Sequence, residues 1–88
     1  FAEECNNKEI LDAIILLAKT EGIFTEPAGG VSISVLQKMV EQGKIDKNDK
    51  VVCYVTGNGL KATESIMEVL EKPKVMNADI AEISAVIN

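Results

Sequence analysis

The run Val51–Val55 constrains this chain more than any other stretch. It reads Val-Val-Cys-Tyr-Val, rich in β-branched side chains, with no alternation of polar residues. A half-exposed strand alternates apolar and polar residues, whereas an unbroken apolar run suits a strand covered on both faces, as in a parallel sheet. Thr56-Gly57-Asn58-Gly59 then turns the chain. Asn-Gly favours a tight hairpin, but no second strand follows. Instead, 61–71 reads as a helix with Leu60, Ile66, Met67, Val69 and Leu70 apolar, ending before Pro73. Strand, glycine-rich turn and helix make a βα unit, so the expected fold class is α/β.

The sequence upstream predicts two helices. The first covers 6–21: Asn6 can cap it, and Glu9 stands three positions later in the arrangement of a capping box. Ile10, Ala13, Ile14, Leu17 and Ala18 recur at helical spacing, Leu11 and Ile15 widen that face, and Gly22 ends the helix. After Ile23-Phe24-Thr25, the segment Glu26-Pro27-Ala28-Gly29-Gly30 opens a second helix that runs to about Gln42. Its expected buried face is Val31, Val35, Leu36, Met39 and Val40, and Gly43 stops it. A polar loop fills 44–50. The stretch 74–88 predicts a short apolar piece and a terminal helix, capped by Asn77 or Asp79, with Ile80, Ile83, Val86 and Ile87 facing inward. With 88 residues, the chain is expected to be one α/β segment, 1–88.

Charge narrows the function classes. All nine basic residues are lysines, set among 14 acidic residues for a net charge of −5, so no basic stripe marks a nucleic-acid binder. One Tyr, two Phe and no Trp are too few for a base-stacking platform. Without His, most metal sites and Ser-His or Cys-His catalytic pairs are excluded within this chain. Cys5 and Cys53 lie far apart and read as two reduced thiols. No apolar run approaches the roughly 20 residues that span a bilayer, and no leader-like segment is present. The expectation is a cytoplasmic protein that meets neither membrane nor nucleic acid.

Two segments depart from local propensity, and such departures often mark function. Gly29 and Gly30 sit in the first turn of a helix, where each costs close to 1 kcal/mol relative to Ala. Bare backbone there allows close approach of a ligand or of another chain segment, and the free N–H groups attract anions. Thr56-Gly57-Asn58-Gly59 lies beyond the carboxyl end of the expected strand, where open α/β sheets bind ligands. It is either such a site or an ordinary βα turn. It matches neither the phosphate loop nor Gly-x-Gly-x-x-Gly.

Together the two segments are specific. EGIFTEPAGGVSISVLQKMVEQGKI, a short spacer and VVCYVTGNGLK resemble the C-terminal part of the threonine synthases, within the fold-type II family of pyridoxal-phosphate (PLP) enzymes. The likeness runs from about Asn7 to Thr63. EPAGG is also similar to segments of threonine dehydratases and cysteine synthases, whereas TGNGLK favours the threonine synthases. The resemblance implies a helix-helix-strand-helix portion of a fold-type II domain. It implies that Thr56 hydrogen-bonds the pyridine nitrogen of PLP, leaving the ring a moderate electron sink suited to elimination and replacement. It also implies that Glu26, Gly29, Gly30, Gly57 and Asn58 lie near the cofactor or support it.

The family's Schiff-base lysine, in a Ser-x-Lys segment, and its glycine-rich phosphate loop are not in this sequence, and Lys61 stands in a different motif. Phe1 also replaces an initiator Met. The chain is therefore expected to be the C-terminal piece of a larger homo-oligomeric enzyme, inactive alone and with no catalytic residue of its own. The implied reaction converts O-phospho-L-homoserine and water to L-threonine and phosphate. The competing expectations are a fold-type II dehydratase or β-replacement enzyme, or a small non-catalytic α/β binding domain.

Overall fold

The computed structural model describes residues 1–87. Helix α1 spans Asn7–Glu21 and begins as its sequence requires. The Asn6 side chain accepts from the Glu9 amide at 2.9 Å, and the Glu9 carboxylate accepts from the Asn6 amide at 2.8 Å. Both donors would otherwise be orphans of the first turn. At the other end Gly22 adopts φ 67°, a left-handed conformation open to glycine, and its amide reaches the Ala18 carbonyl at 3.1 Å.

Helix α2 spans Pro27–Glu41, with Pro27 in its first turn, where a missing N–H costs nothing. Glu26 precedes it in extended conformation, and its carbonyl accepts from the amides of Gly29 at 3.0 Å and Gly30 at 3.2 Å. Gln42 caps the end and Gly43 turns away at φ 71°.

The two helices pack on each other through different residues from those the apolar pattern of α2 suggests. On α1, Ala13, Ile14 and Leu17 are buried, Ile10, Leu11 and Ile15 are half-buried, and Ala18 is exposed. On α2 the buried residues are Gly29, Gly30 and Ser34. Val31 and Val40 are exposed, and Val35, Leu36 and Met39 are only half-buried. The reason is distance. A Cβ on Gly30 would stand 2.8 Å from Ile14 Cγ1 and 2.9 Å from the Ile10 carbonyl oxygen, so the helices approach closely enough that only the small-residue side of α2 fits.

A polar clasp crosses the outside of this pair. Lys38 Nζ lies 2.9 Å from Glu9 Oε2 and donates to the Glu4 carbonyl at 2.6 Å. Gln42 Nε2 donates to Glu3 Oε2 at 2.9 Å, and the Lys44 ammonium sits 5.2 Å above the Phe1 ring. Lys38 and the Asn6 amide hold the Glu9 carboxyl below its ordinary range, and Glu9 raises Lys38 in turn.

Beyond α2 the structure differs from expectation. Val51–Val55 is not a strand: no ladder bonds pair it, Val51, Val52, Tyr54 and Val55 are exposed, and Cys53 is half-buried. Among the described residues the only β pairing is an isolated antiparallel bridge between Thr25 and Asn58. A strand is defined by a neighbour that takes its backbone N–H and C=O groups, and no described segment lies alongside this run. The α/β architecture is therefore not seen among the described residues.

The expected helix over 61–71 is reduced to two short pieces. Gly59–Lys61 makes a 3₁₀ turn and Glu64–Met67 forms α3. The Asn58 side chain accepts from the Leu60 amide at 2.9 Å, closing a tight turn, and Ala62 at φ −148°, ψ 75° interrupts the helical path. Ile66 is buried, but Leu60, Met67, Val69 and Leu70 are exposed. Helix α4, Ile80–Ile87, forms as expected. Asp79 is its cap, accepting from the Ala81 amide at 2.7 Å. Its expected inward face is not inward, because Ile80, Ile83, Val86 and Ile87 are all exposed. The radius of gyration is 16.7 Å, against about 12 Å for a compact domain of this length.

Candidate functional site

Phe24-Thr25-Glu26, between α1 and α2, is brought against Gly57-Asn58-Gly59 by backbone bonds. The Glu26 amide donates to the Gly57 carbonyl at 3.2 Å, and the Gly59 amide donates to the Phe24 carbonyl at 3.0 Å. The two segments that break propensity, separated by an entire helix and a polar loop, thus meet as one pair of crossing strands of chain.

Their glycines fit this meeting. A Cβ on Gly57 would overlap the Glu26 carboxylate, and one on Gly59 would stand 2.5 Å from the Phe24 ring. A Cβ on Gly29 would overlap the hydroxyl of Thr25. Gly57 and Gly59 let the turn lie flat on 24–26, while Gly29 makes room for Thr25 beneath it.

Of the residues singled out from sequence, Glu26, Thr56, Gly57 and Asn58 are gathered at this crossing. Glu26 and Gly57 are half-buried, and Thr56 and Asn58 are exposed. Gly29 and Gly30 are buried against this chain's own residues, Gly29 on Thr25 and Gly30 on α1, behind the turn. Sequence patterning does not single out Phe24 or Thr25. The signal that points to them is the glycine set itself, since glycines in sequence-distant turns imply a shared neighbour that needs their missing side chains.

PLP offers a protein a ring nitrogen, a phosphate and an aldehyde carbon. The residues gathered here fit the first of these. Thr56 carries an exposed hydroxyl able to donate or accept, and Gly57 beside it places no side chain against a flat ring. Asn58 has its side-chain oxygen engaged by the Leu60 amide, leaving its N–H groups to offer. The turn therefore suits one edge of the cofactor, and partners for the phosphate and the aldehyde carbon are not among its residues. Among the described residues, no cluster of His, Cys, Asp or Glu is arranged to hold a metal ion, and no helix is long and apolar enough to cross a membrane.

Comparison with known proteins gives the family. The model of the family described as "Pyridoxal-phosphate dependent enzyme" matches residues 1–57, from ahead of α1 through to Gly57. The threonine synthase of Methanocaldococcus jannaschii is 38% identical over 87 residues, 99% of this chain and 22% of the relative. That of Methanosarcina acetivorans is 41% identical over 86 residues, 98% of this chain and 21% of the relative. That of Bacillus sp. (strain ULM1) is 54% identical over 56 residues, 64% of this chain and 16% of the relative. The chain thus spans about a fifth of the length of the curated relatives it matches across nearly its whole extent. With the family model matched over residues 1–57, well over half of its length, this chain belongs to the pyridoxal-phosphate-dependent enzymes.

Proposed function

We propose that this chain is the part of a cytoplasmic threonine synthase that supplies one wall of the cofactor site, with Thr56 as the partner of the ring nitrogen. The observation that carries this reading is the meeting of Glu26 with Gly57 and of Phe24 with Gly59, which gives the exposed Thr56 hydroxyl a fixed base. PLP, when bound, supplies an electron sink for elimination and replacement at an amino acid. Thr56 holds the ring edge through a hydroxyl too weakly acidic to hold that nitrogen fully protonated. Gly57 and Asn58 shape the rim, Glu26 packs beneath it, and Gly29 and Gly30 support it from behind.

The overall reaction under this reading is O-phospho-L-homoserine plus water to L-threonine plus phosphate. The remaining parts of the site, including the lysine and the phosphate cup, come from the rest of the same enzyme, which is a homo-oligomer. The same remainder lays neighbouring strands beside Val51–Val55 and completes the α/β sheet. The 88-residue chain by itself is inactive.

The test is substitution at Thr56 in the enzyme that contains it. Thr56→Ser keeps the hydroxyl and most turnover. Thr56→Val keeps the shape but strands a buried ring nitrogen, at about 1–3 kcal/mol, or roughly one to two orders of magnitude in rate. Thr56→Asp favours a protonated ring and shifts the product distribution. Wild-type turnover and cofactor absorption in Thr56→Val would remove Thr56 from the site. Deamination of L-threonine in place of phosphate release from O-phosphohomoserine would redirect the reading to a dehydratase.

A further inference from the structure

We infer that Thr25 is the positioning residue of the Thr56 turn: its enclosed hydroxyl pins the carbonyl of Gly57 and so fixes the direction of the Thr56 hydroxyl next to it. The inference rests on the reading of Thr56 given above.

Thr25 is 1% exposed, and no larger side chain is as completely buried among the described residues. Its Oγ1 lies 3.3 Å from the Gly57 carbonyl oxygen, 32 positions away, and 3.1 Å from the Glu26 carbonyl oxygen. One hydroxyl proton serves these two acceptors, so the bond is shared between the two sides of the crossing. The hydroxyl also lies against Gly29, so closely that a Cβ there would overlap it. The Thr25 backbone forms the bridge to Asn58. A buried hydroxyl must keep a partner, and here one of its two partners is the residue that follows Thr56.

The geometry also fixes the size of the effect. The Gly57 carbonyl accepts from the Glu26 amide as well, at 3.2 Å. Losing the Thr25 hydroxyl therefore leaves the crossing in place but looser. Ordinary packing of a threonine predicts something else: any substitution acts through overall stability, and the hydroxyl matters no more than the methyl group.

The experiment is amide hydrogen exchange by NMR on the full chain, without cofactor. In Thr25→Val, the amides of Glu26 and Gly59 should exchange about tenfold faster or more, while those of Ala13, Ile14 and Leu17 in α1 keep their rates. Thr25→Ser should restore wild-type protection at Glu26 and Gly59. Unchanged exchange in Thr25→Val overturns the inference, as does equal acceleration in α1 or a loss in Thr25→Ser as large as in Thr25→Val. If Thr25→Val does not fold, Gly29→Ala takes its place, since its methyl displaces the same hydroxyl. The same two amides should then loosen, and unchanged exchange there overturns the inference. Because no cofactor is used, the outcome separates from that of the Thr56 test. Loosened amides with an unaltered cofactor spectrum in Thr56→Val keep the pin and discard the cofactor assignment. Unchanged amides with an altered spectrum do the reverse.

Discussion

Helix α1 buries Ala13, Ile14 and Leu17, while α4, with Ile80, Ile83, Val86 and Ile87 along one short helix, buries nothing. Both helices are amphipathic and both carry a side-chain cap at their start. What separates them is a partner inside the chain. Helix α1 has α2, shaped by glycines to fit it. Among the described residues, helix α4 and the Val51–Val55 run have no such surface, and the elongated outline follows. Local signals can start a helix anywhere, but only a complementary face makes it part of a core.

The comparison breaks most readily at Gly30. Replacing Gly30 by Ala gains helix propensity, close to 1 kcal/mol. It also forces a methyl within 2.8 Å of Ile14 Cγ1 and 2.9 Å of the Ile10 carbonyl oxygen. Backbone cannot yield as a side chain can, so the net expectation is a loss of about 1–3 kcal/mol from overpacking. A thermal melt followed by circular dichroism checks it. A midpoint equal to or above wild type would mean the α1–α2 contact is looser than described.

A smaller effect is expected at Asn6. Asn6→Ala removes the cap bond to Glu9 and half of the reciprocal pair, costing about 1 kcal/mol. The fraying should centre on the first turn of α1, read as faster exchange of the Glu9 amide, with a smaller acceleration at the Lys38 end of α2 and the rest of that helix unaffected.

The clasp adds a pH dependence. Glu9 has its folded pKa lowered, so its contribution is present above the ordinary glutamate range and is lost as pH falls through the lowered value. Lys38, raised by Glu9, contributes below the ordinary lysine range and loses that contribution only as pH rises through its raised value. Stability between these limits should be flat, falling on the acid side. Glu9→Gln should lessen the acid-side slope in a denaturation series run at several pH values, and an unaltered slope would show the clasp to be inert.

The smallest effect is expected where nothing is packed. Val52 is 81% exposed. Val52→Lys should leave the chain's stability, read by a thermal melt, within about 0.5 kcal/mol of wild type. A large destabilisation would show that Val52 is covered within this chain and would erase the contrast.

Legibility in the sequence follows the same division. The capping box of α1, the left-handed Gly22 and the proline-led start of α2 depend on neighbours within a few residues, and all were readable from spacing. The buried face of α2 was misread because apolar residues were counted, whereas the buried residues are Gly29, Gly30 and Ser34, whose value lies in their smallness. The run Val51–Val55 was read as a strand from its apolar content alone, and among the described residues nothing pairs with it. At the candidate site, Thr56, Gly57, Asn58 and Glu26 were legible through a family motif. Thr25 was not, because a single threonine between two motifs carries no pattern until the chain is folded.

One oxygen of Glu9 serves two structures. Oε2 accepts from the Asn6 amide at 2.8 Å, closing the start of α1, and meets Lys38 of α2 at 2.9 Å. Unravelling the first turn of α1 therefore releases a tether to the neighbouring helix, and withdrawing α2 takes a cation away from the oxygen that completes the cap. The two motions are thermodynamically linked, and the linkage should appear as correlated opening of the Asn6–Ile10 turn and the Lys38 end of α2. A carboxylate at the surface thereby lends cooperativity to a helix pair whose closest interior approach depends on a glycine.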